Sequence, residues 1–125
     1  MRWAIAALFV VSLTACGGSS SPPTVPSDPP NPAITFTLSS SGVSPKELRV
    51  PPGTRVLFMN SDNRQHEIGS DQHPDHTDCL EINQVGFISP GQLKETGNLV
   101  TVRTCGFHDH LNPTNTTLMG RIIIQ

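Results

Sequence analysis

The side chains best suited to chemistry in this 125-residue chain are its histidines, all of which lie in two short segments. The set consists of His66, His73, His76, His108 and His110. Neutral imidazole is the commonest metal ligand in proteins, and a group of imidazoles beside a cysteine favours a soft or borderline transition metal. One isolated loop histidine would more often only form hydrogen bonds, but the clustering of all five predicts a metal site.

Other kinds of chemistry have little support in the sequence. It shows no Ser-His-Asp order, no acid and base pair and no phosphate-binding glycine loop, so we expect a protein that is not an enzyme. The formal net charge of −2 provides no basic surface for a phosphate backbone, which excludes a nucleic-acid partner. The 12 prolines, the 10 glycines and a hydrophobic fraction of 35% argue against a helical bundle.

The first 32 residues have the composition of an export signal followed by a tether. Arg2 and a short apolar run precede Leu13-Thr14-Ala15-Cys16, which resembles the lipobox of bacterial lipoproteins, where the leader is removed and the cysteine is lipidated. We predict a lipoprotein signal peptide at residues 1–15 and a lipid-bearing Cys16 within a Pro/Ser/Gly-rich tether at residues 16–32. The expected location is the bacterial cell envelope, with the chain anchored to a membrane through Cys16 and facing the periplasm or the exterior.

Residues 33–125 are predicted to form one all-β domain. Apolar side chains alternate with polar ones in short runs between Gly and Pro, as in strands with one buried face. The runs cover residues 34–38, 48–50, 56–59, 100–102 and 122–124, and residues 69–95 are expected to be mostly loop. The pattern predicts a two-sheet β-sandwich.

The domain resembles the cupredoxins, the plastocyanin-like blue copper proteins. Residues 42–68, GVSPKELRVPPGTRVLFMNSDNRQHEI, give a buried strand that ends in an Asn and Asp turn before His66. The second motif is Cys105-x-x-His108 ahead of the final strand, with an extended ligand loop that begins HDHLNP. The resemblance implies a Greek-key β-sandwich and a copper cofactor.

Carried over by this resemblance, the copper ligands would be His66, Cys105 and His108, with Met119 as the axial ligand. Two imidazoles, a thiolate and a weak thioether suit both oxidation states of copper. Met119 lies eleven positions after His108, a longer spacing than the family has, so His110 is an alternative fourth ligand.

The segment that contains His73 and His76 leaves a further alternative open. These two histidines provide either a second metal loop or an additional ligand in an all-imidazole site. Such a site would combine one of them with His66, His108 and His110.

The oxidation state of the cysteines distinguishes between two possible functions. Once Cys16 is lipidated, Cys79 and Cys105 remain in a compartment that favours disulfides. A free thiolate at Cys105 would support a membrane-tethered one-electron carrier with an envelope redox partner. A Cys79–Cys105 disulfide would remove that thiolate, which leaves a histidine-only site and a module for copper storage, delivery or tolerance with a copper-handling partner.

Overall fold

The computed structural model describes residues 34–125, and these contain nine β-strands and two short 3-10 turns. The strands are β1 (Thr35–Ser39), β2 (Gly42–Ser44), β3 (Glu47–Val50), β4 (Leu57–Asn60), β5 (His66–Ser70), β6 (Gly86–Ile88), β7 (Leu93–Glu95), β8 (Arg103–Asp109) and β9 (Gly120–Ile124). The 3-10 turns cover Ile82–Gln84 and Thr116–Leu118. The predicted leader, the lipidation at Cys16 and the tether lie outside the described residues. Within residues 34–125, no helix is long and apolar enough to cross a membrane.

The strands form two sheets that pack face to face. The four-stranded sheet has the order β2-β1-β4-β7, and the five-stranded sheet has the order β3-β9-β8-β5-β6. Two neighbouring pairs, β1 with β4 and β3 with β9, run parallel, whereas the other pairs run antiparallel. Buried and less buried residues alternate along β1, β4 and β9, so each sheet turns one apolar face inward. The predicted all-β sandwich is confirmed.

Three phenylalanines join the two sheets at the centre of the core. Phe36 in β1 and Phe58 in β4 meet Phe107 of β8 with ring centroids 4.7 and 5.0 Å apart, respectively. Both contacts are edge-to-face, the arrangement that the charge distribution of aromatic rings favours. All three side chains are fully buried. They therefore hold β8 in a fixed position at the centre of the sandwich.

The side chains of β8 divide between the two faces of the five-stranded sheet. Cys105 and Phe107 are fully buried, and they lie opposite Ile122 and Gly120 of β9. Because successive side chains of a strand point to opposite faces, Gly106 and His108 occupy the outer face. Cys105 and His108 are three residues apart in one continuous strand, so they point in opposite directions.

The predicted strand at residues 100–102 is wrong. Val100 and Val102 are 56% and 68% exposed, and β8 begins only at Arg103. The partner strand β9 ends at Ile124, opposite Arg103, so the residues before Arg103 have no strand to pair with in this sheet. The predicted loop at residues 69–95 also contains more structure than expected, namely the Ile82–Gln84 turn and strands β6 and β7.

Candidate metal centre

Four of the five histidines meet on the outer face of β5 and β8. They are His73, His76, His108 and His110, and one ligating nitrogen from each lies within 4.8 Å of the others. His73 and His76 belong to the loop that follows β5, whereas His108 lies in β8 and His110 directly follows it. The antiparallel pairing of Gly69 with His108 brings these two segments side by side.

His108 has one ring nitrogen held and one free. Its Nδ1 lies 2.8 Å from Oδ1 of Asp71, and since a carboxylate oxygen only accepts, Nδ1 is the donor. Asp71 is itself placed by its backbone N–H, which donates to the carbonyl of Gly106 at 3.0 Å. The Nε2 atom of His108 is buried without a hydrogen-bond partner among the described residues. A buried polar atom in this state is costly, and a metal ion would satisfy its lone pair.

His76 is held in the same way by the backbone. Its Nδ1–H donates to the carbonyl of Ser70 at 2.9 Å, so Nε2 carries the lone pair and accepts a hydrogen bond from Nδ1–H of His110 at 2.8 Å, which a bound metal ion would replace. Asn83 fixes this loop, because its side chain donates to the carbonyl of His76 and accepts from the N–H of Ser70, both at 2.8 Å. The imidazole of His76 occupies the space above Gly69, where a Cβ would overlap it. Glycine at this position is therefore a requirement of the site.

The remaining two ligand candidates differ in how firmly they are held. The backbone N–H of His110 donates to the carbonyl of Glu67 at 2.7 Å, which places His110 beside β5. The ring of His73 lies 4.9 Å from that of His110, centroid to centroid, but it belongs to an exposed residue. Partial loss of water and the neighbouring imidazoles, above all that of His110, lower the pKa of His73 below its ordinary value.

His66 is not part of this cluster, which corrects the prediction that it binds the metal. It is fully buried on the inner face of β5, with Nδ1 2.9 Å from Asp109 and Nε2 3.1 Å from Asp62. Both of its nitrogens therefore already have carboxylate partners. A metal could reach neither nitrogen without displacing a hydrogen bond.

The carboxylates around His66 are stabilised in their ionised form. Burial alone would raise the pKa of Asp109, but hydrogen bonds from the backbone N–H of Glu67 and from His66 hold it below its ordinary value. Burial likewise opposes ionisation of Asp62, and the backbone N–H of Asn63 is the largest contribution that lowers its pKa. The inner face thus holds a buried hydrogen-bond network of His66 with Asp62 and Asp109.

Cys105 is disulfide-bonded to Cys79, which corrects the prediction that it is a thiolate ligand. Their Cα atoms are 5.8 Å apart and both residues are fully buried. Of the two alternatives, the structure has the disulfide. Cys79 follows the loop of His73 and His76, and Cys105 lies three residues before His108, so the bond ties the two halves of the cluster together.

Met119, the predicted axial ligand, directly precedes β9. It lines a surface depression with Lys46, Gly106 and Arg121, among others, and none of the histidines contributes to that lining. The Nζ of Lys46 donates to the carbonyls of Thr117 at 2.6 Å and Met119 at 3.3 Å. These hydrogen bonds hold the end of the extended loop that begins HDHLNP beside β9.

His73 and His76 are predicted from the sequence only as additional ligands, and neither Gly69 nor Asp71 is predicted as part of the site. A glycine in a strand signals close approach of another group, so Gly69 was a usable signal in the sequence. The hydrogen bond of Asp71 to His108 spans 37 residues, and no local pattern indicates it.

The donor set restricts the metal. Four imidazoles suit zinc, copper, nickel and iron, and among divalent first-row metals Cu²⁺ binds most tightly to nitrogen sites. His76 and His110 also line a surface pocket of about 290 Å³, so the cluster is open to solvent on that side. The cluster is therefore chemically suited to hold one exchangeable divalent ion.

No protein-family model matches the chain, and no curated protein matches it. Solved structures do match. A purple cupredoxin from Nitrosopumilus maritimus is 16% identical, with a TM-score of 0.57, and the match covers 74% of this chain and 99% of that one. Oxidised plastocyanin from Dryopteris crassirhizoma is 15% identical, with a TM-score of 0.56 and coverage of 73% and 99%. The reduced Cu(I) form of an amicyanin mutant is 15% identical, with a TM-score of 0.59 and coverage of 78% and 87%. The chain accordingly has the cupredoxin fold.

Proposed function

We propose that this protein is a copper-binding module that holds Cu(II) through His73, His76, His108 and His110. The observation that carries the proposal is the convergence of four ligating nitrogens within 4.8 Å. The buried, unpartnered Nε2 of His108 supports it, because a bound cation removes the cost of that atom. The likeness to amicyanin in a Cu(I) form favours copper among the metals that imidazoles accept.

Copper storage, delivery or tolerance is the role that this donor set favours. Fast one-electron exchange benefits from a soft thiolate that serves both oxidation states, and Cys105 is oxidised in the disulfide. Imidazole ligands alone stabilise Cu(II) more than Cu(I). Binding without turnover is accordingly part of the proposal, and we assign the protein no enzymatic activity.

Electron transfer is the second candidate. It is favoured by the likeness to plastocyanin in its oxidised form and to amicyanin in its reduced form. It would require a histidine-only copper that cycles between oxidation states, because Cys105 is disulfide-bonded and lies on the face of β8 opposite to His108.

Bound copper would act as a Lewis acid that accepts lone pairs from the imidazole nitrogens, and the protein residues would orient those nitrogens. Asp71 and the carbonyl of Ser70 hold the Nδ1–H groups of His108 and His76, so that each ring presents Nε2 to the ion. Outer hydrogen bonds of this kind fix the tautomer and raise the basicity of the ligand.

Titration of the unreduced full chain with Cu(II) tests the proposal. We expect one Cu(II) per chain, a pale colour, nitrogen hyperfine structure in the EPR spectrum and no titratable thiol. The variant with all four clustered histidines changed to Ala should lose this binding while its circular dichroism stays unchanged. An intense blue or green colour together with free thiols would favour the electron carrier instead.

We also propose that the domain works in the bacterial cell envelope, tethered through a lipid on Cys16, with a copper-handling or redox protein of the envelope as its partner. The order Leu13-Thr14-Ala15-Cys16 and the Pro-rich stretch after it support this. A Cys16→Ser chain should leave the membrane fraction. Its complete retention there would contradict the anchor.

A further inference from the structure

We propose that His73 is the exchangeable ligand of the cluster, the position at which an external nitrogen donor reaches the copper. The inference rests on the proposed function, because it assigns unequal roles to the four histidines that hold the ion. Its basis is a difference in how firmly the structure holds the four rings.

Three of the histidines are positioned before any metal arrives. His108 is only 2% exposed, and its ring is held by Asp71 at 2.8 Å. His76 is half-buried, and its ring is held by the carbonyl of Ser70 at 2.9 Å. His110 is half-buried, its backbone is bonded to β5, and its ring Nδ1 is hydrogen-bonded to Nε2 of His76 at 2.8 Å. Ligands with fixed rings lose little conformational freedom on binding, so they supply most of the affinity.

His73 lies in the exposed run at residues 72–75. Among residues 34–125 its ring has no hydrogen-bond partner, and it only contacts the other imidazoles, with centroids 5.7 Å from His76, 5.4 Å from His108 and 4.9 Å from His110. The ring therefore can turn away into solvent without breaking a hydrogen bond. It is the one member of the cluster that would lose only ring contacts on leaving the metal.

Exchange at this position conserves electrons. The bond from copper to the His73 nitrogen breaks, a bond from copper to an incoming nitrogen forms, and Cu(II) keeps its oxidation state. The released imidazole returns to water as a neutral base or takes up a proton there. The matching partner is a copper-handling protein that presents a surface imidazole, a nitrogen donor of the type that suits Cu(II).

A comparison of His73→Ala with His76→Ala in the full chain tests the inference. We expect His73→Ala to keep Cu(II) with an affinity loss of no more than about tenfold, whereas His76→Ala loses about a hundredfold or more. In stopped-flow measurements, Cu(II) should pass to excess nitrilotriacetate about tenfold faster from His73→Ala than from the unchanged protein. Free imidazole at millimolar concentration should restore the EPR spectrum of the His73→Ala complex.

Equal affinity losses in the two variants, or release from His73→Ala no faster than from the unchanged protein, would overturn the inference. If the unchanged protein itself binds no Cu(II), the proposed function fails instead, so the two failures are distinguishable. Circular dichroism and thermal melting of the metal-free variants establish that both fold. Should His76→Ala unfold, His110→Ala takes its place as the comparison, because His110 is also a half-buried member of the cluster.

Discussion

His66 and His108 lie on neighbouring strands, yet their imidazoles face opposite sides of the sheet and serve different purposes. Inside the sandwich, carboxylates engage both nitrogens of His66. Outside it, a carboxylate engages only Nδ1 of His108 and leaves Nε2 without a partner among the described residues. Between these two histidines, the difference is that the protein occupies both ring nitrogens of His66 but only one ring nitrogen of His108.

The largest expected effect separates these two histidines by copper affinity. His108→Ala should weaken Cu(II) binding by about a thousandfold, roughly 4 kcal/mol, because it removes a buried, pre-positioned ligand. His66→Gln should change the affinity by less than about threefold, since its nitrogens do not face the ion. Competition titrations against a chelator of known affinity measure both. Equal losses would mean that His66 belongs to the metal site.

The second prediction concerns the stability of the same two variants, and here the larger effect is expected at His66. His66→Gln should lower the free energy of unfolding of the metal-free protein by about 3–5 kcal/mol, because it removes the partner of two buried carboxylates. His108→Ala should lower it far less, because only one hydrogen bond, to the half-exposed Asp71, is lost. Urea unfolding followed by circular dichroism provides the two values. A His66→Gln protein as stable as the unchanged one would show that the inner network is dispensable.

The disulfide connects the two regions, and its removal should act on stability rather than on colour. Cys79→Ala or Cys105→Ala should each cost about 2–5 kcal/mol of folding free energy, as for native disulfides in small exported domains. The copper complex of either variant should remain pale if imidazoles are the ligands. An intense charge-transfer band in Cys79→Ala, where Cys105 becomes a free thiol, would reveal that this sulfur can reach the metal.

A smaller effect is expected from the residue that orients His108. Asp71→Ala should weaken Cu(II) binding by about 10- to 100-fold, the range typical for loss of an outer hydrogen bond to a histidine ligand. Asp75→Ala is the matched control, because Asp75 carries the same charge on the same loop. Loss of the Asp75 carboxylate should alter the Cu(II) affinity by less than about threefold, because this carboxylate acts on the ion only through a screened electrostatic interaction. If both variants behave alike, the role of Asp71 is purely electrostatic.

The smallest effect concerns pH. The pKa of His73 is lowered in the folded protein, so on acidification the unfolded chain takes up this proton first, near pH 6.5, and the metal-free fold loses stability below that pH. The pKa of Asp109 is also lowered, but its stabilising contribution is lost only at pH values below about 4. Between pH 7 and 5 the stability should therefore fall slightly. The slope should decrease in His73→Ala, and an unchanged slope would contradict this account.

Much of the sandwich could be predicted because its strands alternate apolar and polar residues along short runs, as Phe36 and Leu38 do in β1. The continuity of β8 could not, because Gly106, His108 and Asp109 are residues typical of loops. Once β8 is known to be continuous, the spacing of three between Cys105 and His108 excludes a common metal. The family resemblance predicts His66 as a ligand. The position of the Asp71–Cys79 loop over β8 could not be predicted, because it depends on contacts between residues that are distant in the sequence.

The pair of glycines at positions 69 and 106 has a consequence for how a metal site can be added to a protein. Each removes one Cβ from the outer surface of the sheet, and the imidazole of His76 and the carboxylate of Asp71 fill the two gaps. The site thus lies on the outer surface of a sheet whose inner face is packed in the core. The absence of a Cβ at Gly69 and Gly106 determines how closely the loop can approach this sheet. An engineer could move it to another sandwich by copying the Asp71–Cys79 loop, the two glycines, His108 and His110, together with the buried disulfide that anchors the loop.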